Sequence, residues 1–226
     1  MVEPYSELQA AIEEETKKNR WGKMWNKFGI YLIAMAAIIL GSAGLWTFQQ
    51  SRAQKEAIVY STLYEEARAL FGQGKIGESV QKLQEIIKKG PANYRTMARF
   101  MLTAHYTQMN NIEALKSTYQ DIIHDKSASQ FYRGLAQLNW ISFQIDHEAL
   151  TKEQLQQHLD MLSTLQNPAI KRLSGEVIGF IHYKMKDYTK AREVFTHLAQ
   201  LHDIDQGMRA RAQAMVRLIY METHPQ

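Results

Sequence analysis

The feature that most limits this chain is an uncharged run from Phe28 to Ser51, whose core, Phe28–Phe48, reads FGIYLIAMAAIILGSAGLWTF. A helix of these 21 residues, rising about 1.5 Å per residue, spans roughly 30 Å, the thickness of a bilayer's hydrocarbon core. A short globular helix buries one stripe and wets the other, whereas this segment is apolar on every side. Trp21, Trp25, Phe28 and Tyr31 precede or open the run, and Trp46 and Phe48 close it. Aromatic rings at both ends suit the headgroup level of a membrane. The run predicts a transmembrane helix over 28–48.

A cleaved signal peptide fits less well. Residues 1–27 include the acidic run Glu13-Glu14-Glu15, and bulky Trp46 and Phe48 stand where small cleavage-site residues are required. Lys17, Lys18, Arg20, Lys23 and Lys27 flank the N-terminal side, against Arg52 and Lys55 on the other. The excess of cations places the N-terminus in the cytoplasm and the rest of the chain across the membrane. The organisation that follows is a cytoplasmic tail (1–27), a membrane helix (28–48), a juxtamembrane linker or helix (49–58) and a folded domain (59–226). Within the tail, Tyr5, Leu8 and Ile12 recur at helical spacing behind Ser6 and Gln9, a short amphipathic pattern.

Beyond residue 52 the apolar positions recur with helical period, and polar or glycine-rich breaks fall near 72–77, 109–111, 125–128, 146–148, 166–168, 185–187 and 203–206. Helices of about 12–18 residues in antiparallel pairs follow from that spacing. The segment GFIHYKMKDYTKAREVF, 179–195, is the clearest unit. Gly179 is small where two helices approach, Lys186-Asp187-Tyr188 makes the turn, and Ala191 and Phe195 lie one helical turn apart. A weaker copy places Leu63, Ala67, Leu70, Ser79, Leu83 and Ile86 at matching positions and ends at Pro91. Another runs from about Thr96 with Tyr106, Leu115, Tyr119 and Ile122, and a degenerate one covers 129–168. In the last of these the extra length is expected in the connection from Ile145 to Thr151. Gln206–Met221 reads as a capping helix, with Met208, Ala212, Met215 and Ile219 facing the final repeat.

Repeats of this length, with a small residue followed by an aromatic plug on the second helix, resemble the tetratricopeptide repeat. The expected fold is all-α: a transmembrane helix, then a tetratricopeptide-like α-solenoid of about four helix pairs plus a capping helix. The order of tail, anchor and degenerate repeats, with LSGEVIGFIHYKMKDYTKAR at 173–192, also resembles the bacterial ancillary subunit of the Sec translocon. That resemblance implies a single-pass inner-membrane protein with a periplasmic repeat domain. It implies as partners translocon subunits, exported clients or periplasmic chaperones, and no active site. A structural or assembly scaffold for cell division or outer-membrane biogenesis shares this layout.

The search for chemistry is short. Cysteine is absent, which excludes disulfides, thiolate metal sites and a cysteine nucleophile. His197 and His202 are five apart and His147 and His158 eleven apart, with no ligand spacing among them. Gly72, Gly74 and Gly77 fall in a helix-to-helix turn. No phosphate loop or nucleophile elbow is present. The expectation is a non-enzymatic protein with no cofactor, metal or small-molecule substrate. The net charge of +4 is carried by residues 52–226, whose Lys and Arg are interleaved with Asp and Glu, so no nucleic-acid face is predicted. By repeat register, Tyr64, Arg68, Phe71, Phe100, Thr107, Glu176, Phe180 and Tyr183 project at or near the concave face. They form either a protein-binding groove or half-buried packing between repeats. The methionines likewise either fill gaps between helices or line an adaptable groove.

Overall fold

The computed structural model describes residues 50–51 and 54–224; the predicted tail (1–27) and membrane helix (28–48) lie outside the described residues. The chain divides into residues 1–58 and 59–226. Among the described residues no helix is long and apolar enough to cross a membrane. Residues 50–51 and 54–58 are helical.

The second unit is all-α. Helix α1 is helical over residues 54–72, of which 59–72 belong to this unit. Then come α2 (Ile76–Lys89), α3 (Ala92–Gln108), α4 (Ile112–His124), α5 (Gln130–His147), α6 (Lys152–Ser163), α7 (Pro168–Lys184), α8 (Tyr188–Gln200) and α9 (Gln206–Thr223). These make four antiparallel-pair units and a terminal helix, with each helix stacked mainly on its chain neighbours.

Local sequence explains where most of these helices begin. The side chains of Asn111, Ser129, Asn167, Asp187 and Asp205 each accept a backbone N–H of the first turn that follows. Thr151 and Gln154 form a reciprocal capping box before α6. Pro168 occupies the first turn of α7, where its missing N–H costs nothing.

The turns inside the repeats share one geometry. At Gly74, Asn110 and Lys186 the backbone enters the left-handed region, with φ of 75°, 53° and 62°. In each case that residue's N–H reaches the carbonyl three back, and the next N–H reaches the carbonyl five back. The pairs are Gly74 to Phe71 and Lys75 to Leu70; Asn110 to Thr107 and Asn111 to Tyr106; Lys186 to Tyr183 and Asp187 to His182. This double closure satisfies the carbonyls that a helix end leaves orphaned. It reverses the chain in the first, second and fourth pairs.

The third pair has no such turn. Instead α5 runs on to His147 and the connection is only Glu148–Thr151. Helices α3, α5, α7 and α9 begin at residues 92, 130, 168 and 206, so these repeats are all 38 residues long; the third carries no extra length, and the expected long Ile145–Thr151 connection is not there. The backbones of α5 and α6 stand further apart than in the other pairs. They meet through the long side chains of Leu138, Ile141, Ile145, Leu155 and Leu162. Gly134 lets α5 approach α7, since a Cβ there would lie 3.3 Å from Ile170.

Packing at the fourth pair is tightest. A Cβ at Gly179 would sit 2.7 Å from the Phe195 ring, closer than real Cβ atoms approach. Phe195 is fully buried with Ala191, and Phe180 meets its edge with ring centroids 5.3 Å apart. In the first pair a polar contact does similar work. Ser79 Oγ donates to Ala67 O at 2.7 Å and lies 2.8 Å from His105 Nε2, so α1, α2 and α3 are tied together in the core.

Two histidines have buried ring nitrogens without a hydrogen bond, although His182 Nδ1 lies 3.8 Å from Asp187 Oδ2. Both ring nitrogens of His158 and Nδ1 of His182 have no hydrogen bond, and His158 is only 7% exposed. Burial pushes the imidazoles of both down, opposed by the carboxylates of Glu148 and Asp187 respectively.

Two outcomes follow for stability. Gly179→Ala is expected to lower the melting temperature, because overpacking costs about 1–3 kcal/mol and exceeds the roughly 1 kcal/mol helix-propensity gain. Adding Phe195→Leu to that variant should recover much of the loss in thermal melts. For His158 and His182, the folded state binds protons less readily than the unfolded chain. Their contribution is therefore complete above the unfolded pKa of about 6.5 and is lost as pH falls through it. His158→Leu should flatten the fall in melting temperature between about pH 7 and 5, leaving the part due to His182.

Candidate interaction surface

The odd-numbered helices carry the aromatic candidates. Tyr64 on α1 is half-buried against the first core cluster. Phe100 on α3 is half-buried against the next cluster, and its ring centroid lies 6.0 Å from that of Tyr132 on α5. Burial, the largest cause, pushes the Tyr64 hydroxyl up, and Glu65 adds to it. Tyr64, Phe100 and Tyr132 are thus half-buried aromatic side chains on α1, α3 and α5, of which Phe100 and Tyr132 meet. Tyr132 is absent from the sequence-based candidates; it lies 32 residues after Phe100, whereas α3 and α5 begin 38 residues apart, so the two rings meet from non-equivalent positions of their helices.

The remaining N-terminal candidates divide. Phe71 packs face-on near His105, with ring centroids 4.2 Å apart. Arg68 is exposed and pairs with Glu65 at 3.3 Å. Thr107 is exposed and its hydroxyl donates to Thr103 O at 2.8 Å, so it is satisfied within its own helix. A second aromatic stack, Tyr119–Trp140–Phe143–His147, runs from α4 along α5 at centroid spacings of 6.0, 5.7 and 4.3 Å. Trp140 and Phe143 are half-buried.

An ionic clasp holds α3 in this arrangement. Arg99 Nη1 donates to Asp125 Oδ2 at 2.7 Å with both side chains mostly buried. Ser127 donates to the other Asp125 oxygen from both its backbone N–H and its hydroxyl, and itself accepts from Arg95. Ser127's hydroxyl bond first, then Arg99, brings the Asp125 carboxyl down to about 2.

On α7 the three candidates are already engaged by neighbouring helices. Glu176 accepts from Arg211 of α9 through both oxygens, at 2.6 and 3.0 Å. Tyr183 donates to Glu222 of α9 at 2.6 Å, which pushes its hydroxyl up to about 12. Phe180 packs against Phe195. The α7 candidates are thus engaged by α8 and α9, while Tyr64 and Phe100 are half-buried against separate clusters. Among the described residues no three His, Cys, Asp or Glu side chains could hold a metal ion.

Helix pairs with a repeated left-handed turn, a small residue at the crossing and a closing helix match one family, the tetratricopeptide repeat-like domain, over residues 20–217. The chain belongs to that family. No curated protein and no solved structure matches it. In this tetratricopeptide repeat-like protein the match also takes in the uncharged run Phe28–Ser51.

A double-mutant cycle on Glu176→Gln and Arg211→Ala, read by chemical denaturation, should give a coupling of about 1 kcal/mol or less. Arg211 is more than half exposed, and solvent screens such pairs.

Proposed function

We propose that this protein is a membrane-anchored, non-enzymatic scaffold whose repeat domain binds other proteins on the far side of a bacterial inner membrane. The observation that carries the reading is the stack of tetratricopeptide repeat-like helix pairs, on which Phe100 and Tyr132 meet half-buried between α3 and α5. Rigid, half-exposed rings offer large contact area at low entropic cost, which suits an interface anchor. The anchor rests on the charge-free length of 28–48 and the orientation on its flanking cations. Translocon subunits, exported chains or periplasmic chaperones are the partners this reading favours, on the resemblance of 173–192.

The test places a photo-crosslinking amino acid at Tyr64 or Phe100 of the full chain in cells. Adducts with translocon subunits, exported chains or periplasmic chaperones are expected; adducts confined to cytoplasmic proteins sink the reading. An export-dependent reporter fused after Gln226 should be active, and one active only in the cytoplasm reverses the topology. Release of the chain by alkaline carbonate would remove the anchor.

A further inference from the structure

Helix α9 buries one stripe, Met208, Ala212 and Ile219, against α8 and α7. The same helix carries a second, exposed stripe. Ala214, Arg217, Leu218 and Met221 recur at helical spacing away from the buried stripe, with Leu218 at 36%, Tyr220 at 57% and Met221 at 62% exposure. Together with Arg192 of α8 they line a cleft of about 710 Å³ whose floor is almost wholly apolar.

Both arginines at this cleft are without a carboxylate or carbonyl partner among the described residues. Arg68, Arg99, Arg172 and Arg211 pair with carboxylates, and Arg95 and Arg209 donate to carbonyls. Arg192 and Arg217 make no such bond, although side chains of both line the apolar cleft. The only other described arginine without one is Arg133. Two unpaired cations beside an apolar trough complement an amphipathic helix that carries carboxylates along its apolar stripe. A second copy of this face would instead set arginine against arginine. A bilayer surface would meet a convex helix, not a trough.

The geometry points to the α8–α9 cleft as a docking site for an acidic amphipathic helix of a partner protein, separate from the aromatic residues on α1, α3 and α5. Leucines of that helix fill the trough over Leu218 and Met221, and its glutamates pair with Arg192 and Arg217.

The test uses the full chain in nanodiscs of zwitterionic lipid and a fluorescent designed helix, with leucines at i, i+3, i+4 and i+7 flanked by glutamates. Binding is expected for this peptide and not for its lysine-flanked counterpart. Arg192→Glu with Arg217→Glu should weaken it about tenfold or more, as should Leu218→Asp alone. These positions are exposed, and unchanged melting temperatures would show that the variants remain folded. Equal binding of the acidic and basic peptides, or no effect of the double charge reversal, overturns the proposal. So does loss of peptide binding in nanodiscs of anionic lipid, which would assign the face to the bilayer. A concentration-dependent dimer abolished by Leu218→Asp would assign it to self-association and overturn it as well.

Discussion

Everything in this fold depends on how closely two helices can approach, and that distance is set by missing side-chain volume. Gly179 leaves room for the whole Phe195 ring, so α7 and α8 lock with a buried aromatic between them. Losing such a ring costs on the order of 3–5 kcal/mol, a large part of a domain's total stability. Where the crossing lacks this device, as between α5 and α6, the backbones separate and long aliphatic side chains bridge the gap. The turn obeys the same logic. A left-handed residue at Gly74, Asn110 or Lys186 reverses the chain within three residues and so brings the two helices of a pair into contact. Only the first of these is a glycine; asparagine tolerates the conformation, and Lys186 accepts a local backbone cost of about 1–2 kcal/mol.

No helix pair can bury both of its apolar faces alone, so the core divides into successive clusters, each shared between neighbours. This has a functional consequence. Aromatic residues on successive odd-numbered helices can meet across the stack, as Phe100 and Tyr132 do. Half-burial in the stack restrains their rotamers, and the exposed half remains available. Packing between repeats and recognition are thus two uses of the same rings.

Charge is handled economically at the ends of the stack. The closing helix α9 draws on α7 through Arg211 and Glu222, which engage Glu176 and Tyr183. The ionic clasp Arg99–Asp125–Ser127 fixes α3 against the turn leading into α5. Both are cross-links between elements distant in sequence.

Much of the architecture was legible from local pattern. Helical period, capping side chains and breaks located the helices to within a few residues, because those signals act over one turn of chain. The role of Gly179, Ala191 and Phe195 was legible for the same reason: small and large residues recur at fixed offsets within one unit. The candidate surface was less so. Glu176 and Tyr183 share the register of groove residues, yet partners 35 and 39 residues away engage them. Tyr132 meets Phe100 because α5 stacks beside α3, a relation that no local window contains. The amino-acid order alone determined where the chain turns and which stripe each helix must hide, since both depend on neighbours within a helical turn. Which of the remaining side chains stay available to a partner was decided only by stacking, because exposure is a property of what the next helix covers.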